Sequence, residues 1–191
     1  RELAGEADAI AAVNARFGAL CGAFACTGIA TIAVLEGSVM GGGLGLACAV
    51  DVALAGQGAQ FRLPETSLGV VPAQIAAFLV ERVGPSQARR LAVTGGRLDA
   101  ARALAIGLVH ELHEDGAALE AALAATLAQT LRCAPGAVAA TKALMARALH
   151  TPAADLVEEA ARVFAQAARG AEGIEGMSAF LQKRSPSWAP Q

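Results

Sequence analysis

Apolar positions in the first quarter of the chain predict a helix, a strand and a second helix. Between residues 6 and 24 they recur every three or four residues, which is typical of an amphipathic helix that can bury one face. These positions are Ile10, Val13, Phe17 and Leu20. The run 29–35 is rich in β-branched residues and has no breaker, as in a strand covered on both sides. Three glycines at 41–43 separate it from an apolar run at 44–49, which we expect to form a helix.

The segments after residue 50 continue this alternation. We expect a strand at 51–55, and an irregular loop at 62–69 because that segment carries too many breakers for regular structure. Three helix-like runs follow, each ended by glycine, and Asp99 is placed to cap the third. These runs cover 76–83, 86–94 and 100–106.

The last part of the chain reads as mostly helical. A short strand at 108–112 precedes a region rich in Ala, Leu, Glu and Arg, which predicts helices up to residue 169 with breaks near Pro135 and Pro152. Strands early and helices late predict an α/β fold, with a core at 1–115 and a helical C-terminal region at 116–191.

The composition favours small-molecule chemistry over binding to nucleic acid or a membrane. The 191 residues are 55% hydrophobic, carry a net charge of -2 and include no run of Lys or Arg. The longest weakly polar stretch, 29–55, is interrupted by Glu36 and Asp51 and is rich in glycine, unlike a bilayer span. No charged segment followed by an apolar one opens the chain, so we see no secretory signal and expect a cytoplasmic protein.

Cysteines and histidines do not form a ligand set in this sequence. The four cysteines stand singly among apolar neighbours, without CxxC or CxxH spacing, and we interpret them as buried hydrophobes in a reducing compartment. The three histidines lack ligand spacing and a pattern of acidic partners, so we assign them no chemical role. We therefore expect no metal site and no disulfide.

The glycine run Gly41, Gly42 and Gly43 is the first candidate for chemistry. Glycine allows a tight turn and lets a ligand approach bare backbone N–H groups, which together with the dipole of the following helix suit a developing negative charge. A close-packed turn between strand and helix explains the glycines equally well. A dinucleotide site does not, because Leu46 and Cys48 stand where the pattern GxGxxG requires its last glycine.

Glu65 is the carboxylate that stands out. It is the single charged residue between Leu63 and Leu79. A carboxyl group in apolar surroundings can both accept and donate a proton near neutrality. A surface glutamate, or one that caps a loop, is the alternative that the residues alone leave open.

Two segments resemble the signature of the crotonase superfamily, the enoyl-CoA hydratases and isomerases. They are 32–51, IAVLEGSVMGGGLGLACAVD, and 59–72, AQFRLPETSLGVVP, in the order and spacing of that family. Further similarity extends to 175–184, EGMSAFLQKR. The resemblance implies a crotonase-like fold, a superhelix of ββα units followed by helices that form trimers. Because the chain opens with Arg1, we expect the N-terminal strands of that fold to lie outside this sequence.

The resemblance also implies roles for individual residues. The backbone N–H of Gly42 matches one of two donors that hold the thioester oxygen as it becomes an enolate, and the second donor is not identified. Glu65 matches the second of two catalytic glutamates in family hydratases. Gly45 occupies the position of the first, which is the main departure from the family. Gly41, Gly45 and Pro72 are expected to line the substrate site.

Phe180 and Lys183 match positions that reach the CoA site of a neighbouring subunit in family trimers. A helix-packing aromatic and a solvated charge are the alternatives. We therefore expect a homotrimer or a dimer of trimers that binds acyl-CoA thioesters.

The function implied is hydration of an α,β-unsaturated acyl-CoA, without metal or redox cofactor. Loss of the first glutamate leaves an isomerase or decarboxylase with one glutamate, or a non-catalytic acyl-CoA-binding homologue, as alternatives. Gly45, together with 68–75, also resembles the branch that hydrates methylglutaconyl-type or isohexenylglutaconyl-type esters.

Overall fold

The computed structural model describes residues 7–190, with side chains from Ala9 onward. Its helices are α1 (Ala7–Cys26), α2 (Gly42–Ala49), α3 (Ile75–Thr94), α4 (Ala100–Ala105), α5 (Gly116–Leu131), α6 (Pro135–Ala148), α7 (Ala153–Arg169) and α8 (Ala171–Leu181). Its strands are β1 (Ile32–Leu35), β2 (Ser38–Met40), β3 (Val52–Gly56), β4 (Gln60–Arg62), β5 (Arg97–Asp99) and β6 (Glu111–His113), and a 3-10 helix covers Glu65–Leu68.

Two compact units make up the described chain. The first contains the described residues up to Ala25 together with Thr31–Leu123, and it holds both sheets. The second contains Cys26–Ala30 and the described residues from Ala124 onward. Strands therefore precede a run of helices, as the apolar pattern predicted.

Strands β1, β3 and β6 form a parallel sheet with β3 in the centre. Ala53, Leu54 and Ala55 of β3 are fully buried, so this strand is covered on both faces as in other parallel sheets. Beside the first pair of strands, the Asp51 carboxylate accepts hydrogen bonds from the Thr31 N–H at 2.7 Å and the Thr31 hydroxyl at 2.9 Å. These bonds fix the register in which β1 meets β3.

The second sheet consists of three short strands in the order β2, β4, β5. Strands β2 and β4 are parallel, and β5 pairs antiparallel with β4. Val39, Phe61 and Leu98 face one another across the three strands, and all three are buried. The sequence did not predict β2 or β5, and β4 overlaps the segment that we expected to be an irregular loop.

Helix α1 has the predicted extent but not the predicted buried face. Phe17 is half-buried and Cys21 is fully buried, whereas Ile10, Val13 and Leu20 are 57%, 47% and 46% exposed. The helix is apolar on several sides, so spacing alone could not identify the side that packs. By length and composition, its segment 9–26 could cross a membrane, but helices from soluble cores and signal sequences meet the same criterion.

Helix α3 is interrupted where the sequence predicted, because Gly84 has φ 74° and ψ 162° and Pro85 follows it. In α4, the prediction of a cap is confirmed, since Asp99 Oδ1 accepts a hydrogen bond from the Arg102 N–H at 2.7 Å. The predicted breaks near Pro135 and Pro152 coincide with the starts of α6 and α7.

The prediction that all four cysteines are buried is right for two of them. Cys21 and Cys48 are buried, and burial raises the pKa of the Cys48 thiol to about 12. Cys26 and Cys133 are exposed, because the first ends α1 and the second lies in the turn between α5 and α6. All four are free thiols.

Arg82 joins α3 to the end of α2 and to the strand region. Its guanidinium donates to the backbone oxygens of Cys48, at 3.1 Å, and Val50, and its Nη1 lies 2.9 Å from His110 Nε2. The Ala53 N–H donates to Nδ1 of the same histidine at 3.0 Å. His110 therefore has a structural role that the sequence did not indicate.

We expect Arg82→Met to destabilise the protein by about 2 kcal/mol, because hydrogen bonds from a charged group to buried carbonyl oxygens are among the stronger ones in a fold. Urea unfolding measures the loss. Arg89→Met, an exposed change on the same helix, is the matched control. Equal unfolding midpoints for the two variants would contradict the assigned role of Arg82.

The environment of His110 predicts a dependence of stability on pH. Partial burial and, next, the Arg82 guanidinium lower the pKa of His110 below its ordinary value of 6.5. Below pH 6.5 the unfolded chain therefore binds a proton at His110 that the folded chain does not bind. The free energy of unfolding is unaffected by this group above pH 6.5 and decreases as the pH falls below it.

His110→Asn should flatten this loss of stability between pH 7.5 and 5.5, because the Asn Oδ1 can accept from the Ala53 N–H without titrating. Urea midpoints at the two pH values check the expectation. The control is His150→Asn, a change at an exposed histidine, which should leave the wild-type slope intact. An unchanged slope in His110→Asn would show that another group is responsible.

In the second unit, carboxylates organise the helix ends. Glu172 of α8 accepts hydrogen bonds from the Gly136 and Ala137 N–H groups at 2.9 and 3.1 Å, and so caps the start of α6. Beyond α8, Arg184 donates to both oxygens of Glu175 at 2.7 and 2.8 Å, and these bonds lower the pKa of Glu175 to about 2.

Candidate active site

Two neighbouring parallel strands carry the candidate site at their carboxyl ends. Met40, the last residue of β2, lies beside Arg62, the last residue of β4. The glycine turn follows Met40 directly, and Glu65 lies three residues after Arg62. Loops that leave the same edge of a parallel sheet are the usual place for a ligand site in α/β folds.

Gly41 has a backbone conformation that strongly favours glycine. Its φ of 49° and ψ of -118° correspond to the first central position of a type II′ turn, which glycine dominates. A Cβ at this position would lie 3.1 Å from Glu65 Oε1, so glycine also lets the carboxylate approach the main chain. The structure thus brings Glu65 against the glycine turn.

The N–H groups around the start of α2 differ in whether they donate a hydrogen bond within the protein. Gly41 donates to the Arg62 oxygen at 3.2 Å, and Gly45 donates to the Gly41 oxygen at 3.0 Å, which is the first bond of the helix. The N–H of Gly42 has no acceptor within the described part of the chain, as expected at a helix start. Since Gly42 is exposed, its N–H is a donor open to a ligand.

Glu65 is held by the 3-10 helix that it begins. The Val70 N–H donates to the Glu65 backbone oxygen at 3.0 Å, and the Thr66 hydroxyl donates to the Ala92 oxygen of α3 at 2.8 Å. Gly69 ends the turn with φ 76°. The glutamate backbone is therefore tied both locally and to a long helix.

The side-chain oxygen Oε2 of Glu65 is buried and has no hydrogen-bond partner among the described residues. An unpaired buried carboxylate oxygen costs free energy, and such groups in folded proteins often mark functional positions. Within residues 9–190 the single other buried side-chain oxygen of this kind is Gln87 Oε1.

The Arg62 side chain forms hydrogen bonds that hold the segment around Glu65 in place. The sequence did not indicate this role. Its Nε donates to the Gly95 oxygen at 2.9 Å and its Nη2 to the Ser67 hydroxyl at 3.3 Å. Ser67 in turn donates to the Pro64 oxygen at 2.6 Å. The strand-ending arginine thus holds the turn on both sides of Glu65.

Gly45 is buried and tightly packed. A Cβ there would lie 2.9 Å from Ile75 Cγ1 and 3.4 Å from the ring of Phe17. The position that the family resemblance assigns to a first glutamate therefore has apolar neighbours and little room. Sequence reasoning gave Phe17 only a core role, because the ring lies about 25 residues before the glycine turn.

Pro72, Phe180 and Lys183 are the other residues that we expected to bind the substrate. The Pro72 oxygen accepts from the Ile75 and Ala76 N–H groups, both at 3.0 Å, so Pro72 lies in the turn that leads into α3. Phe180, 82% exposed, and Lys183, with φ 54°, lie in the second unit at the end of α8. Their role in binding CoA stays a prediction.

Potential metal ligands are not clustered. Within the described residues, no group of three or more His, Cys, Asp or Glu side chains could hold a metal ion. The expectation that the histidines lack an acidic partner is wrong for His113, whose Nε2 lies 3.0 Å from Glu111 Oε2. The two residues are two positions apart in β6, so their side chains point to the same side of the strand.

Comparison with known proteins identifies the family. The family model for enoyl-CoA hydratase/isomerase matches residues 5–191. The solved structure of Pseudomonas aeruginosa AtuE is 51% identical with a TM-score of 0.95, and that of an enoyl-CoA hydratase/isomerase from Marinobacter aquaeolei is 48% identical with a TM-score of 0.93. These alignments cover 98% and 97% of this chain, and 72% and 70% of those chains.

Curated relatives are more distant and longer. A probable mitochondrial enoyl-CoA hydratase 2 from Arabidopsis thaliana is 34% identical, and a 2,3-dehydroadipyl-CoA hydratase from Escherichia coli is 33% identical. The matches cover 83% and 82% of this chain but 52% and 62% of those proteins. The chain belongs to the enoyl-CoA hydratase/isomerase family and has the crotonase-like fold that the sequence predicted.

Proposed function

We propose that the protein is an enoyl-CoA hydratase that adds water across the α,β double bond of an acyl-CoA thioester. The observation that carries the proposal is the buried, unpartnered Oε2 of Glu65 beside a glycine turn whose Gly42 N–H is free to bind an oxyanion. The hydratases among its relatives support the same reaction class.

Glu65 can carry out both proton transfers of this reaction. The carboxylate takes a proton from water as the water oxygen bonds to the β-carbon, and the electron pair of the double bond moves toward the thioester oxygen. The Gly42 N–H stabilises the resulting enolate. Glu65 then returns the proton to the α-carbon, which restores the thioester and the carboxylate. The hydration involves no net oxidation or reduction, so the proposed reaction needs no redox cofactor. The backbone N–H of Gly42 polarises the thioester in place of a metal ion.

Isomerisation of a 3-enoyl-CoA is the second candidate, and the packing at Gly45 favours it. With apolar groups at that position, the site offers a single carboxylate to the substrate. One carboxylate can remove a proton from the α-carbon and return it to the γ-carbon through the same enolate.

Assays in water enriched in ¹⁸O separate the two reactions. A 2-enoyl-CoA should yield a 3-hydroxyacyl-CoA that carries the label, detected by mass spectrometry. An isomerase would instead convert a 3-enoyl-CoA to the 2-enoyl isomer without label. If the full-length protein converted neither substrate, both candidate reactions would be refuted.

Other features of the whole protein belong to the proposal. Coenzyme A enters as part of the substrate, and the assembly is a homotrimer or a dimer of trimers in which Phe180 and Lys183 reach a neighbouring CoA site. The protein is cytoplasmic. Gly45 supports the branch that acts on methylglutaconyl-type or isohexenylglutaconyl-type esters.

A further inference from the structure

The two reacting groups of the proposed site lie on separate segments of the chain. The Gly42 N–H belongs to the turn after β2, and Glu65 begins the 3-10 helix after β4. The pairing of β2 with β4 covers three residues of each strand and ends at Met40 and Arg62. Because Glu65 lies three residues beyond the last pair, contacts outside the sheet must hold its carboxylate against the glycine turn.

Arg62 forms hydrogen bonds to both of these segments. Its backbone oxygen accepts from the Gly41 N–H at 3.2 Å, which continues the strand pairing by one bond into the glycine turn. Its Nη2 donates to the Ser67 hydroxyl at 3.3 Å, and that hydroxyl donates to the Pro64 oxygen at 2.6 Å. Positions 64 and 67 lie on either side of Glu65, so these two bonds stabilise the turn that carries the carboxylate.

A further bond anchors Arg62 to the end of α3. Its Nε donates to the backbone oxygen of Gly95 at 2.9 Å. Arginine suits this place because it can donate to carbonyl groups at the end of a helix and its charge complements the helix dipole. Gly95 is buried, and a Cβ there would lie 3.4 Å from Ser67 Cβ and 3.5 Å from Thr66 Oγ1. The turn that carries Glu65 therefore packs directly on the helix end to which Arg62 is bound.

The shape of the guanidinium matters more here than its charge. Its planar group offers several donors in a fixed arrangement, so one side chain binds an acceptor on α3 and another on the Glu65 turn. Lysine has one ammonium group on a flexible stem and does not reproduce this geometry. Glu65 Oε2 has no hydrogen-bond partner among the described residues, so Arg62 acts on the carboxylate through the backbone of the turn.

We propose that Arg62 is a positioning residue for the proton transfer, because it ties the turn that carries Glu65 to the glycine turn that carries the Gly42 N–H. The inference rests on the proposed function. A displacement of about 1 Å at a reacting group can reduce the rate by about 100-fold. Loss of the Arg62 side chain should therefore lower kcat, and it should change KM little because the Gly42 N–H still binds the thioester.

The test measures kcat and KM of the full-length protein with a 2-enoyl-CoA or 3-enoyl-CoA ester that the wild type converts. Arg62→Met removes the side-chain donors and keeps the backbone oxygen, so kcat should fall by about 10- to 100-fold with KM within a few-fold of wild type. Arg97→Met is the matched control, since Arg97 is exposed and lies opposite Arg62 where β5 pairs with β4. It should leave both constants unchanged. Circular dichroism confirms that each variant is folded.

Three further variants establish how Arg62 acts. Ser67→Ala removes the acceptor on the turn and should lower kcat severalfold. The double variant Arg62→Met with Ser67→Ala should be no slower than Arg62→Met, because both changes break the same connection. Arg62→Lys retains the charge without the fork of donors, so its kcat should stay well below that of the wild type.

The outcomes separate the inference from the function on which it rests. A wild type that converts neither ester refutes the proposed function, and the inference with it. An active wild type together with a folded Arg62→Met variant of unchanged kcat overturns the inference alone, and so does full activity in Arg62→Lys or a double variant whose losses multiply. If Arg62→Met does not fold, Ser67→Ala decides, because an unchanged kcat in that variant is equally contrary to the inference.

Discussion

Glu65→Gln should lower kcat by about three orders of magnitude and leave KM for the CoA ester within a few-fold of wild type. General acid–base catalysis by a positioned group contributes about 10²- to 10⁴-fold, and here one carboxylate both accepts and donates the proton. Glutamine has nearly the same shape, so the side chain can keep its place beside Gly41, but it can no longer accept and return a proton. Steady-state kinetics on the preferred ester measures both constants.

Two further variants isolate the proton transfer from other effects. Glu81→Gln removes one negative charge from an exposed position on α3 and should leave kcat unchanged. Glu65→Asp keeps the acid but withdraws it by one methylene, and should retain more activity than Glu65→Gln. Turnover by Glu65→Gln within a few-fold of wild type would mean that this carboxylate does not move the proton.

The central features of the site could be predicted from sequence because they are local. The glycines of the turn and the breakers around Glu65 are conformational signals that any reader of the chain can find. That Glu65 meets Gly41 rests on pairing between Met40 and Arg62, which a single sequence does not reveal. Resemblance to a family supplied that link, and the coordinates agree with it.

Short strands escaped prediction for a physical reason. Strands β2 and β5 have three residues each, too few to display a period of two. Their existence depends on partners far along the chain, such as Val39 against Phe61 and Phe61 against Leu98. Long-range pairing of this kind overrides local propensity.

The same limit explains why Phe17 was assigned to the core alone. Its spacing with Ile10, Val13 and Leu20 predicted one buried face, yet those three residues are exposed and Phe17 turns toward the glycines. An apolar helix offers several faces, and the small residues at 42 and 45 decide which of them packs. The buried face of α1 is therefore determined by residues of α2, which the spacing of apolar residues within α1 does not show.

Gly41→Ala should reduce both stability and turnover, and it is the substitution that tests the geometry of the turn most directly. Alanine at φ 49° and ψ -118° is strained, which costs about 2 kcal/mol, and its Cβ would press on Glu65 Oε1. A displacement of about 1 Å at a reacting group can reduce the rate by about 100-fold. We expect a loss of kcat of that order, with a lower urea midpoint.

Substitutions at two nearby glycines separate the effect of backbone strain from the effect of displacing the Glu65 carboxylate. Gly37 has φ 61°, and no atom lies within 4 Å of the point where its Cβ would be. Gly37→Ala therefore introduces backbone strain without a contact to the site. Gly43 is helical and equally open, so Gly43→Ala should keep or slightly raise stability through helix propensity. If the loss of kcat in Gly41→Ala only matched that in Gly37→Ala, strain alone would explain it. A larger loss in Gly41→Ala assigns the difference to the carboxylate that Gly41 admits.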